Sequence, residues 1–261
     1  MANPPDPGAT SIPDPTDSAR SPARSRFVVL VALLAVVFAL MAALAGFGSR
    51  WELWTFRTGF SLLRWAAYGG MAVVLLSLVA LVRVRRGSPR RGALLALFAL
   101  AVGLLLVVIP WQWQSRARSV PPIHDITTDT ENPPAFVSVA PLRADAPNSM
   151  EYGGPEVAAQ QRAAYPDIRP LVLDLPMATA FDRALEAVEE MDWQLVAADS
   201  TAGRIEATDQ TFWFGFKDDI VIRLAPIGAR TVVDVRSLSR VGGGDAGTNA
   251  RRVRGYLDEL R

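Results

Sequence analysis

Cysteine is absent from this 261-residue chain, and histidine and lysine occur once each. The first absence excludes disulfides, thiolate metal sites and thiol nucleophiles. The second leaves His124 with no other imidazole to share a metal or a proton relay. Lys217 and His124 aside, every basic residue is arginine, and with so much alanine the composition looks like that of a GC-rich bacterial genome. Charge is also missing from three long runs, residues 27–48, 65–82 and 92–114.

At a rise of about 1.5 Å per residue, each run crosses or nearly crosses a hydrocarbon core of about 30 Å. A helix on the surface of a soluble core would carry a polar face, and these runs carry none. Leu62 and Leu63 extend the middle run if Arg64 snorkels to the interface. The pattern predicts transmembrane helices over about 27–48, 62–82 and 92–113. No acid, histidine or lysine falls inside the runs, which argues against a pump or transporter built on intramembrane relays.

Arginine placement predicts orientation. Arg20, Arg24 and Arg26 precede the first run, and Arg83, Arg85, Arg86, Arg90 and Arg91 lie between the second and third. Arg50, Arg57, Arg64, Arg116 and Arg118 fall on the other side. The positive excess marks the cytoplasmic face, so the N-terminus is inside and the C-terminal region extracytoplasmic, at a bacterial inner membrane. Trp51, Trp54, Trp65, Tyr68, Trp111 and Trp113 read as interface anchors of the outer leaflet. Ala43-Leu44-Ala45 resembles a signal-peptidase site, but the polar leader and the apolar run are both long, which favours an uncleaved anchor. Ala35, Ala39, Ala43, Gly46 and the Gly69-Gly70 pair permit close helix packing.

Residues 1–115 carry 11 arginines against four acids, and residues 116–261 carry 16 basic against 22 acidic groups. The acidic half argues against nucleic acid as a partner, because phosphate neutralisation needs clustered cations. The chain divides into a Pro-, Asp- and Ser-rich disordered leader (1–26), a membrane anchor (27–114), a Pro-rich extended connector (115–167) and an α+β domain (168–261). Within the connector, a helix is predicted from Pro155 to Tyr165. Beyond it, 170–174 can be a short strand. Phe181, Ala184, Leu185, Val188 and Met191 mark one face of a helix. Strands follow near 193–198, 204–211, 220–224 and 233–236, and a final helix spans about 248–260. The fold expected is a two-layer antiparallel sheet packed with two helices.

Four ordered stretches look like the signatures of domain-of-unknown-function family 1499. They are residues 121–129 (PPIHDITTD) with Pro133-Pro134 behind them, 161–170 (QRAAYPDIRP), 213–223 (WFGFKDDIVIR) and 234–252 (DVRSLSRVGGGDAGTNARR). The resemblance spans roughly residues 120–261. It implies a domain preceded by several membrane spans, brings no activity with it, and implies a basic or polar residue near Gly243-Gly244, where this chain has glycine.

Three groups of residues could carry function. His124, Asp125 and Asp129 could hold a divalent metal, or instead pin a turn through side-chain bonds to backbone. Trp213, Phe214 and Phe216, with Lys217 and Asp218, could form a ligand or partner surface. Strand alternation would set Phe212 and Phe214 opposite Trp213, one set in the core and the other covered by the connector. Arg240, Gly242, Gly243, Gly244, Asn249 and Arg252 could cradle an anion before the last helix, although Asp245 can cap that helix and repel one. Ser237 and Ser239 sit in no nucleophile elbow, so no catalytic constellation is complete, and no cofactor is predicted. The function expected is a binding or scaffold module of the cell envelope. The partners expected are the lipid bilayer and an envelope protein. The alternative is a membrane-proximal hydrolase or metal-dependent enzyme using His124 and the nearby aspartates.

Overall fold

The computed structural model describes residues 22–85 and 90–261. Most of the expected leader, and with it Arg20 and Arg86, lies outside those residues. The leader's last five residues, 22–26, are helical instead.

Helices α1 (Pro22–Arg50), α2 (Phe56–Arg85) and α3 (Arg90–Arg118) form an up-down bundle. All three are long and apolar enough to cross a membrane. Each outruns its uncharged stretch because arginine is a good helix former and can carry the backbone past the apolar run. The seam is built from small side chains. Val31, Ala35, Val73 and Ala99 are buried, Gly69 faces the Phe38 ring, and a Cβ on Gly103 would lie 3.0 Å from the Gly70 carbonyl. With little side-chain volume between them, α2 and α3 cross almost backbone to backbone. Leu33, Leu40, Leu75 and Leu104 point outward.

The remaining elements are β1 (Asp125–Thr127), α4 (Gly154–Ala164), β2 (Leu171–Leu173), α5 (Met177–Glu190), β3 (Gln194–Asp199), β4 (Arg204–Gln210), β5 (Lys217–Ile227), β6 (Arg230–Ser239) and α6 (Thr248–Glu259). The strands form one antiparallel sheet in the order β1-β6-β5-β4-β3, with β2 sharing β6 alongside β1. On one face Ile205, Ala207, Ile220, Ile222, Val233 and Val235 meet Phe181, Ala184 and Val188 of α5 and Val253, Tyr256 and Leu257 of α6. The Tyr256 ring stacks on Trp193, and its hydroxyl donates to the Ala184 carbonyl at 2.7 Å, tying the two helices together. Burial pushes that phenol far above its ordinary pKa.

The segment expected as an extended connector, residues 115–167, finishes α3 at Arg118 and then belongs to the sheet. Asp125–Thr127 pairs with Arg236–Leu238 as a sheet strand. Gln161 of α4 donates to the Thr127 carbonyl at 2.6 Å and accepts its N–H at 3.0 Å, standing in for a further strand beside β1. Residues 129–150 then cross the other face of the sheet, where Phe136 and Val139 bury Val221 and Leu238. Low apolar periodicity concealed this because the segment is held chiefly through polar contacts.

Candidate functional site

The aromatic run leaves the sheet altogether. Residues 211–216 form the turn between β4 and β5, and Gly215 adopts φ +69°, so strand alternation does not govern these rings. The covering element is not the connector but the helix ends. The Trp213 indole lies on Gly46 of α1, where a Cβ would run into the ring, and donates to the Ala43 carbonyl at 2.9 Å. Its other neighbour is Trp113 of α3, with ring centroids 5.3 Å apart. Phe214 packs on Phe60 of α2 at 4.9 Å and stacks on Phe216 at 5.4 Å, and Phe216 meets Phe56 edge-on. Gly59 makes room for Phe214 and for the Ala45 carbonyl. Arg50 donates one N–H group to the carbonyls of Thr211 and Phe212, at 2.9 and 3.0 Å. One loop thereby touches all three helices.

Four of the expected interface anchors, Trp51, Trp54, Trp111 and Trp113, belong to this junction end. Trp54 donates to the Ala45 carbonyl at 3.2 Å across Gly48. Trp65 and Tyr68 pack edge-to-face farther down α2, roughly 14 and 18 Å along the axis from Phe56. The six rings therefore make a deep band on the bundle rather than one narrow belt.

The face of the sheet under residues 129–150 holds a buried ionic layer. Asp219 is fully buried between Arg143 (2.5 Å) and Arg240 (2.8 Å) and accepts from Thr208 at 2.7 Å. Burial pushes its carboxyl up, but the bonds from Arg240, Thr208 and Arg143 outweigh burial and hold it below the usual carboxylate range. Glu206 accepts the backbone N–H groups of Val137, Ser138 and Val139 at 2.9–3.1 Å. Arg236 forms a two-pronged pair with Asp125 and donates to the carbonyls of Pro134 and Met150. Arg223 joins Asp129 and Asp234 at 3.0 and 2.7 Å. In every case a charge on a strand fixes the segment that covers it.

This layer also sets the surroundings of the histidine motif. Asp125 and Asp129 spend their carboxylates on Arg236 and Arg223. Asp129 in addition accepts the N–H groups of Glu131 and Asn132 with its other oxygen. The His124 carbonyl accepts from Ser239 N–H at 3.0 Å and from Asn249 at 2.9 Å. No cluster of three or more metal-ligating side chains occurs among the described residues. His124 lines a cleft of about 360 Å³ with Pro122, Asn148, Glu151 and Gly243.

The glycine loop brings only part of its expected set together. Arg240 lies on the ionic face with Asp219, whereas Arg252 lies on the helix face, bonded to Asp209 and Asp218 at 2.6 and 2.7 Å. Asp218 and Asp219 thus point to opposite faces. Asn249 bonds Ser237, Ser239 and Arg252 as well as the His124 carbonyl, a full complement for an amide. Asp245 accepts the N–H groups of Gly247 and Asn249 at the start of α6. Burial raises its carboxyl above the ordinary value despite those bonds. Gly242 takes φ +94°, and Gly244 presses on Pro122 at the edge of the cleft. Lys217 is exposed.

Gly59, Arg143 and Glu206 carry no mark in the sequence, while Gly46 reads there only as a helix-packing residue, Arg50 only as a flanking charge, and Gln161 only as the start of a family signature. One signal was available for the strand charges. Glu206, Asp219, Arg223, Asp234, Arg236 and Arg240 have a single parity once the strands are registered, which marks a polar face that something must cover. Nothing local links Arg50 to residue 211.

A search of curated proteins returns no match. A family model described as a protein of unknown function, DUF1499, matches residues 125–260. The match runs from the first residue of β1 to the end of α6, and so takes in the whole sheet, the segment that crosses its ionic face and the glycine loop. This chain is therefore a member of domain-of-unknown-function family 1499, with three long apolar helices preceding the family domain.

Proposed function

We propose that the chain is a multi-pass membrane protein that presents its α+β domain on the extracytoplasmic side of a bacterial inner membrane, as a binding or scaffold module of the cell envelope. The observation that carries this reading is the aromatic junction, where the β4–β5 loop is clamped by all three helices at one end of the bundle. A flexible tether would serve to hold an enzyme near its substrate. A clamped domain holds a surface at one height and angle above a membrane, which is what a docking module requires. The arginine excess at the opposite end of the helices supports the orientation. The domain would divide from the anchor near residue 118, with the 119–167 segment part of the domain rather than a spacer.

The surface offered includes the cleft of His124, Glu151, Asn148 and Gly243, an open site where polar side chains stand beside Pro122, Pro147 and Val157. It suits a small polar group or a peptide turn of an envelope partner. The enzyme reading draws less support, because Asp125 and Asp129 are engaged by arginine.

The cysteine-free background supplies the test. Ile227 is half exposed at the β5–β6 turn. An Ile227→Cys protein should react with a membrane-impermeant maleimide on intact cells whose outer membrane has been permeabilised. Reaction only after lysis would overturn the orientation. A cleft-lining Ser149→Cys protein carrying a photocrosslinker should capture a discrete envelope partner, and absence of any adduct would count against the binding reading.

A further inference from the structure

Phe212 is 78 % exposed, a large apolar side chain at the tip of the loop that joins the domain to the helices. Its ring meets Phe47 of α1 edge-on at 5.5 Å, and Phe47 in turn stacks on Trp51, which is 59 % exposed. The three rings form an apolar rim that continues the outward-facing leucines and valines of α1 without a break in charge from residue 27 to residue 48.

Depth can be read from the helices. The uncharged stretch of α2 starts after Arg64, and that of α1 ends at Gly48. Since the two helices run antiparallel with Gly69 against the Phe38 ring and Gly59 against the Ala45 carbonyl, Arg64 comes level with residues 40–43. The edge of a hydrocarbon layer would fall near Ala43–Gly46. Trp213 bonds the Ala43 carbonyl and lies on Gly46, so it sits at that edge, and Phe212 beside Phe47 sits about one helical turn above it, at headgroup depth.

A loop entering that zone must satisfy its own backbone. Arg50 caps the carbonyls of Thr211 and Phe212, the Thr211 hydroxyl accepts Phe216 N–H at 2.9 Å, Thr211 N–H donates to the Phe216 carbonyl, and Gln210 donates to the Gly215 carbonyl. Bonds of this kind let a turn leave water without stranding polar groups.

We infer that the β4–β5 loop is itself a membrane-contacting element: Phe212, with Phe47 and Trp51, inserts among the headgroups of the bilayer that the helices span. This rests on the spanning reading of α1–α3. It adds that the sheet domain rests on lipid through its own loop, so the height of the His124 cleft is set by both the helices and the lipid surface.

The full chain in phosphatidylethanolamine–phosphatidylglycerol nanodiscs, one chain per disc, decides it. Single cysteines at Phe212 and Trp51 carry an environment-sensitive fluorophore, with Leu75→Cys on the outer flank of α2 as the lipid reference and Ile227→Cys as the water reference. Labels at 212 and 51 should emit to the blue of the label at 227 and lose intensity with lipids spin-labelled near the headgroup. The label at 75 should respond to spin labels deep in the acyl chains. Labels at 212 and 51 that behave like the one at 227, while 75 reports lipid, would overturn the inference and leave the spanning reading intact. A label at 75 that reports water would overturn both. Shielding of 212 seen in crowded liposomes but absent from single-chain discs would assign the rim to a second copy and overturn the inference. Position 51 keeps the test valid if Phe212→Cys disturbs the loop.

Discussion

Trp213 donates its indole N–H to the backbone carbonyl of Ala43, 170 residues away in sequence, and the two are brought together only because Gly46 has no side chain. This contact joins the β4–β5 loop to the first helix. It gives the chain's aromatic run a use that neither core packing nor an open ligand surface would have required.

Gly46→Leu should expel the indole from its seat. Overpacking of this kind costs about 1–3 kcal/mol. In detergent the variant should melt lower than wild type and become cleavable by chymotrypsin within residues 211–216. Gly243→Ala is the control, since open space surrounds that Cβ position. Equal melting of both variants would contradict the seat.

Asp219→Asn should be severe, because it leaves Arg143 and Arg240 facing a neutral partner in a buried layer. Breaking such a pair from one side costs about 3–5 kcal/mol. Asp167→Asn loses a pair with Arg254 that is largely exposed, and should cost about 0–1 kcal/mol. Chemical unfolding followed by circular dichroism checks the ranking.

The same carboxylate sets a pH dependence. Its folded pKa is depressed, so its contribution is present above the ordinary aspartate value of about 3.9 and is lost as pH falls through the lower folded value. The stability gap between wild type and Asp219→Asn should therefore be constant near neutrality and close below about pH 4. Asp245 has the opposite sign. Its folded pKa is raised by burial, so its contribution is present at low pH and is lost as pH rises through the raised value. Asp245→Asn should gain on wild type as pH rises through that range, which parallel melts across pH would reveal.

Glu206→Gln keeps the side-chain length but removes one acceptor oxygen from the cradle that holds Val137, Ser138 and Val139. Each buried amide left unpaired costs about 1–3 kcal/mol. Hydrogen exchange at residues 137–139 should accelerate by about fivefold or more, since ~1.4 kcal/mol is a factor of ten, while exchange in β5 stays slow. Unchanged protection at 137–139 would show that Phe136 and Val139 alone hold the segment.

The elements that announced themselves share one physical property: their signal is local. The three uncharged runs are helices because apolar side chains dominate them, and Pro110 near the end of the third does not stop α3. Phe181, Ala184 and Val188 recur at helical steps because a single face of α5 is buried. The turns at Gly203 and Gly228 take positive φ, which glycine permits. The family signatures were legible too, and the match over residues 125–260 agrees with them.

The rest depended on partners distant in the chain. Residues 129–150 read as a spacer because they lack apolar periodicity, yet they close the sheet through ion pairs, which leave no period. His124, Asp125 and Asp129 look like a ligand set in sequence, and only the fold pairs the two carboxylates with Arg236 and Arg223. The sequence by itself determined the apolar helices, the antiparallel sheet with its two helices, and the family. Only the tertiary structure decided which charges pair and where the aromatic loop goes. Helix and strand periods arise from neighbours three, four or two residues apart, whereas Arg50 meets Phe212, and Arg143 meets Asp219, only after the chain has folded.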